Sequence, residues 1–87
     1  MDVVVVFPTT HLTLKAEKAF QRGQISHRTV MKPRKISSDC GLAIRIAEED
    51  VERCRKAILS DNLMPTGFFR ETEKGWECVL QMGELPN

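Results

Sequence analysis

The chain has 87 residues, 41% of them hydrophobic and 29% charged, with a formal net charge of +1; that is enough for one small domain (1–87, with 82–87 as a tail) and too little for a stand-alone enzyme with a large substrate cleft. No apolar run approaches the roughly 18–20 residues of a membrane span, and Met1-Asp2 opens no basic n-region, so neither a span nor a secretory signal is expected. Three cysteines without a Cys-x-x-Cys pair, and two histidines outside any zinc-type spacing, argue against a disulfide framework, a structural metal or another resident cofactor.

The charge is unevenly distributed. Residues 1–35 hold seven Lys/Arg against two acids, and residues 36–87 hold six against ten. Such asymmetry marks a basic docking face for nucleic acid or for an acidic partner. The only aromatics in the basic half are Phe7 and Phe20, and both read as core, so nucleic acid is the lesser expectation.

Taken in order, residues 2–7 are a β-branched run, apolar on both faces, that reads as a central strand. Pro8 ends it, and Thr9 or Thr10 caps a helix whose inward face is Leu12, Ala16, Ala19 and Phe20. Gly23 stands where a left-handed C-terminal residue belongs. Residues 25–32 read as a weaker strand, with Arg28 and Lys32 suiting an edge. Leu42, Ile44 and Ile46 alternate with Ala43, Arg45 and Ala47 in a half-buried strand. Glu48-Glu49-Asp50 then opens a second helix, where negative charge suits the macrodipole; Val51, Cys54, Ala57 and Ile58 form its buried face, and Asn62 and Pro65 stop it. Residues 67–71 read as a fourth strand. Glu73-Lys74-Gly75 is a turn into residues 76–80, which gives an optional fifth strand as a C-terminal hairpin.

This order predicts an α+β fold, the ferredoxin-like βαββαβ two-layer sandwich, with strands one and three in the middle of an antiparallel sheet. The outward valines of the first strand would then face solvent, which suggests a homodimer or partner surface on the open sheet face.

The stretch that invites chemistry is Lys35-Ile36-Ser37-Ser38-Asp39-Cys40-Gly41-Leu42-Ala43, a lone cysteine among small, hydrogen-bonding residues. It reads either as a turn that contains a cysteine or as an activated thiol. Ser37, Ser38 and Gly41 leave the backbone open to an anion, which includes the thiolate itself. A right-handed crossover makes strands one and two parallel, so the Cys40 loop should meet the start of helix one at Thr10 and His11. Unpaired N–H groups there, with Arg34 and Lys35 nearby, would lower the thiol pKa. His11 is either an exposed first-turn residue or a proton holder for a leaving group. His27 reads as a surface residue. Cys54 and Cys78 read as core positions, with a resolving role for Cys78 as the alternative. No Gly-rich phosphate loop, nucleophile elbow or carboxylate pair is present. A carrier, which needs one reactive atom and a docking face, fits better than a catalyst.

Phe7-Pro8-Thr9-Thr10-His11, Leu14-Lys15-Ala16-Glu17-Lys18, Pro33-Arg34, Ile36-Ser37-Ser38 and Cys40-Gly41-Leu42-Ala43 together give nearly the whole chain a resemblance to the selenium/sulfur carrier-like proteins, formerly a domain of unknown function. The resemblance implies a single-domain cytoplasmic protein that holds sulfur or selenium on Cys40 as a persulfide or selenosulfide, taken from a donor protein and passed to an acceptor protein. Ser37, Ser38, Gly41, Thr10, His11 and Arg34 would surround it. Two readings stand beside this one: a small anion-binding or regulatory module using the same loop and helix end, and a structural interaction domain.

Overall fold

The computed structural model describes residues 2–80 apart from 37 and 39, with only the backbone at Leu80. Ser37 and the expected tail 82–87 therefore lie outside the described residues. Five strands, β1 (Asp2–Val6), β2 (Arg28–Met31), β3 (Leu42–Ala47), β4 (Gly67–Thr72) and β5 (Gly75–Leu80), pair antiparallel in the order β2-β3-β1-β4-β5. Two helices, α1 (Thr10–Arg22) and α2 (Val51–Ser60), connect them, with a 3-10 turn over Glu48–Asp50 leading into α2. The three acids thus occupy that lead-in turn, one step before the helix expected to begin with them.

The β-branched residues of β1 take its centre, and both of its faces are buried. Val3 and Val5 join Ile44, Ile46 and Phe68 beneath Ala16 and Phe20 of α1 and Cys54 and Ile58 of α2. Val4 and Val6 point the other way, where open solvent was expected. They are instead 1% and 0% exposed, covered with Ala43 and Ile36, and Val30, Phe69 and Trp76 pack around them. Ile36 comes from the β2–β3 loop and Trp76 from the C-terminal hairpin, so non-local segments supply the cover. The exposed-valine argument for a dimer face loses its premise.

α1 begins as its residues require, with Thr9 Oγ1 accepting from Leu12 N–H at 3.1 Å. Its end differs from expectation. Gly23 stays in the right-handed region, and Gln24 takes the left-handed one at φ +56°. Gln24 N–H donates to Gln21 O and Ile25 N–H to Phe20 O, a complete Schellman closure. α2 closes the same way on Asn62, φ +59°, with Leu63 N–H reaching Ile58 O at 2.8 Å.

Two further expectations change. Cys78 is exposed, although it shares the face of Trp76, because β5 is the sheet edge and nothing packs over that position among the described residues. Leu42, expected to match Ile44 and Ile46, is only half-buried at the strand end.

For function, the decisive feature is direction. β1 and β2 each pair antiparallel with β3 between them, so they run parallel and leave the sheet at the same edge. The start of α1 and the β2–β3 loop therefore meet there.

Candidate functional site

The described residues of the β2–β3 loop, 32–36, 38, 40 and 41, reach both faces of the sheet at that edge. At its open-face side Ile36 is inserted beside Val4 and Val6. Lys32 holds the loop base: its backbone N–H donates to Gly41 O at 2.9 Å, and its ammonium donates to Ile36 O at 2.6 Å and to Pro33 O at 3.3 Å. Ser38 Oγ donates to Phe7 O at 2.8 Å, tying the loop to the end of β1, and accepts from Cys40 N–H at 3.2 Å. The loop then delivers Cys40 to the helix side of the sheet.

Cys40 is 2% exposed, and four polar atoms stand within hydrogen-bonding reach of its sulfur. Sγ lies 3.3 Å from Thr13 Oγ1 and 3.7 Å from Thr10 Oγ1, both in the opening turns of α1, and it accepts from Leu42 N–H at 3.4 Å. The thiol proton reaches Leu42 O, also at 3.4 Å. Burial pushes the thiol pKa up, but the hydrogen bonds from Thr13, Leu42 N–H and Thr10, together with the Lys32 charge, outweigh it and hold the thiol below its ordinary value. Cys54 shows the opposite case. Buried among apolar neighbours and near Asp50, with no donor among the described residues, it is pushed up to about 12.

Of the sequence-expected site residues, Cys40, Thr10 and Ser38 are brought together. Gly41 contributes its carbonyl to Lys32, and a side chain there would meet open space, so this position does not require glycine for close approach. His11 and Arg34 are exposed and make no hydrogen bond or ion pair among the described residues. The positive charge acting on the sulfur comes from Lys32, where Arg34 and Lys35 were expected to supply it.

Thr13 and Lys32 are the site residues that sequence reading missed. Thr13 had a signal: it falls three residues before Ala16 and seven before Phe20, a hydroxyl on the buried stripe of α1, fully buried in the structure. Lys32 had a weaker one, a cation at the mouth of a loop whose carbonyls need donors. Cys78 lies on β5, three strands from β3; at about 4.8 Å per strand this is about 14 Å, twice the roughly 7 Å Cα separation a disulfide tolerates. All three cysteines are free.

Among the described residues no helix is long and apolar enough to cross a membrane. A family model described as "Putative Se/S carrier protein-like" matches residues 2–70. No curated protein and no solved structure matches the chain.

Proposed function

Since the chain belongs to the Se/S carrier protein-like family, we propose that it carries sulfur or selenium on Cys40 between a donor and an acceptor protein. The observation that carries this reading is the Cys40 sulfur seated against the opening turns of α1, with hydroxyl and N–H donors around it and a lowered pKa. The Cys40 thiolate attacks the outer sulfur of a donor persulfide, R–S–SH. One S–S bond forms to Cys40 and one breaks; R–S⁻ leaves with the electron pair, and Cys40 becomes Cys40–S–SH. An acceptor thiolate then repeats the exchange in the forward direction. No oxidant is consumed in either step, and a selenium atom passes by the same bookkeeping of bonds as a selenosulfide. Thr10, Thr13 and Leu42 N–H hold the Cys40 thiolate before each attack, and Ser38 holds the loop that carries it. Gly41 closes the base of that loop through its carbonyl, and His11 and Arg34 stand exposed on the two segments that flank it.

The setting is a single cytoplasmic domain spanning 1–87, where reducing conditions keep Cys40 a thiol between rounds. The sheet order, read from β4 as 4-1-3-2 with β5 added outside, supports the ferredoxin-like frame for it.

The test is non-reducing intact-protein mass spectrometry after incubation with a cysteine desulfurase and cysteine, beside Cys40→Ser. A gain of about 32 Da, one sulfur atom in the persulfide exchange, mapped to the Cys40 peptide and lost in Cys40→Ser, is expected. Peptide mapping is essential because exposed Cys78 offers a second thiol. A gain confined to Cys78, or no gain, would overturn the carrier reading in favour of a ligand-binding loop in which Cys40 is a buried hydrogen-bonding residue.

A further inference from the structure

The outward face of α1 carries a line of basic side chains. His11, Lys15, Lys18 and Arg22 follow at i, i+4, i+7 and i+11, which puts them within about a 60° arc at 100° per residue. All four are exposed. The first turn of α1 contains no acid, although negative charge is what the N-terminal end of a helix favours, whereas the start of α2 is acidic. The only acid of α1, Glu17, is turned to β2, where it accepts from Thr29 Oγ1. Arg22 pairs with Asp61 at the far end, but Lys15 and Lys18 have no carboxylate partner among the described residues. Beside this cationic stripe Leu14 is 46% exposed, one turn after Thr10, whose hydroxyl lies against the Cys40 sulfur. Arg34 and Lys35, also exposed, extend the positive charge along the neighbouring loop.

Lys15 and Lys18 lie mid-helix, beyond the reach of either end of the macrodipole, and no local pairing accounts for them, so a cationic stripe with an apolar residue at its side is a feature to be explained by what binds there. We propose that this face of α1 is the docking surface for an acidic protein surface, that of a protein exchanging sulfur or selenium with Cys40. The proposal rests on the carrier reading and names the partner chemistry for it. Lys15 and Lys18 supply the charge complementarity that sets encounter and register, and Leu14 supplies an apolar contact beside them. The geometry brings a partner bound there to the Thr10 end of α1, next to the sulfur. A nucleic acid is disfavoured because no Phe, Tyr or Trp lies on the face to stack a base.

The experiment is an amide chemical-shift titration of the isotopically labelled chain at low salt. Its probes are a glutamate-rich peptide and, separately, a single-stranded oligonucleotide of equal charge. The expected result is that peptide shifts map to residues around Leu14, Lys15 and Lys18, and that Lys15→Glu/Lys18→Glu weakens binding about tenfold or more. Lys56→Glu/Lys74→Glu, an equal charge change on α2 and the β4–β5 turn, should leave it within about twofold. Both double variants alter exposed side chains only, and circular dichroism confirms their folding. Equal losses in the two variants, shifts centred elsewhere, no binding, or tighter binding of the oligonucleotide than of the peptide would overturn the proposal. Cys40→Ser keeps the face intact. Failure of sulfur loading is therefore read in the mass experiment and failure of docking in this one.

Discussion

Thr13 has one hydroxyl proton and two acceptors for it, Thr9 O at 3.1 Å and Cys40 Sγ at 3.3 Å. With Cys40 protonated, the hydroxyl serves the helix carbonyl and the sulfur has Leu42 O for its own proton. Ionisation turns the Thr13 proton toward the thiolate, so the residue stabilises the reactive form at the cost of one i−4 bond within the helix. Thr13→Val keeps the shape and removes the proton; the midpoint of Cys40 alkylation against pH is expected to move up, with the rate at pH 7 falling several-fold. Thr13→Ser restores both. A midpoint unchanged in the valine variant would remove Thr13 from the site. The same shift fixes a stability dependence. Because the folded pKa lies below the ordinary thiol value, Cys40 contributes stability that is fully present above the unfolded pKa and is lost as pH falls through the folded one. Thr13→Val flattens that segment of the urea-stability profile, which is measured in parallel with the alkylation series.

The two helices end on a shared device, which the sequence places correctly at Asn62 after α2 and one position early after α1. Glycine was expected at the left-handed position of α1, but Gly23 continues the helix and Gln24 takes φ +56°, as Asn62 takes +59° after α2. The buried pairs Phe20–Ile25 and Ile58–Leu63 span the two closures, so tertiary packing of the residue after the turn fixes where the left-handed residue falls. Local preference is overruled by that packing. Gln24→Gly and Asn62→Gly are each expected to raise stability by about 0.5–1 kcal/mol in urea unfolding, since glycine relieves the left-handed penalty. The gain should be smaller at Asn62, because asparagine tolerates that region better than glutamine. A loss at either position would show that the side chain has a role beyond the backbone. Elements whose order rests on periodicity were legible: the β-branched centre of β1, the amphipathic stripes of α1 and α2, and the parallel exit of β1 and β2 that brings the loop to Thr10. What periodicity cannot carry is cover from a distant segment. Nothing local to Val4 or Val6 announces Ile36 or Trp76, and nothing local to Cys78 announces that its strand lies at an open edge.

At the scale of the whole molecule the β2–β3 loop is a clamp closed on both faces of the sheet, by Ile36 on one and by Cys40 on the other. On the carrier reading a donor persulfide must reach the sulfur of a residue that is 2% exposed, which requires an opening of this loop. Ile36 is the apolar anchor against that opening, 3% exposed against Val4, Val6 and Ala43. The three cysteines provide an internal measure of how the molecule opens: Cys78 is exposed, Cys54 is fully buried in the core between the helices and the sheet, and Cys40 is buried under the loop. Ile36→Ala removes about 2–4 kcal/mol of apolar contact from the closed loop. Residue-resolved alkylation should then show Cys40 reacting about tenfold faster or more, Cys78 unchanged, and Cys54 accelerated only as far as global stability falls. Equal acceleration of Cys40 and Cys54 would mean that the loop opens only when the whole fold does. In that case Cys40 could not be loaded in the native protein, because the loop that shelters the sulfur would have no opening of its own.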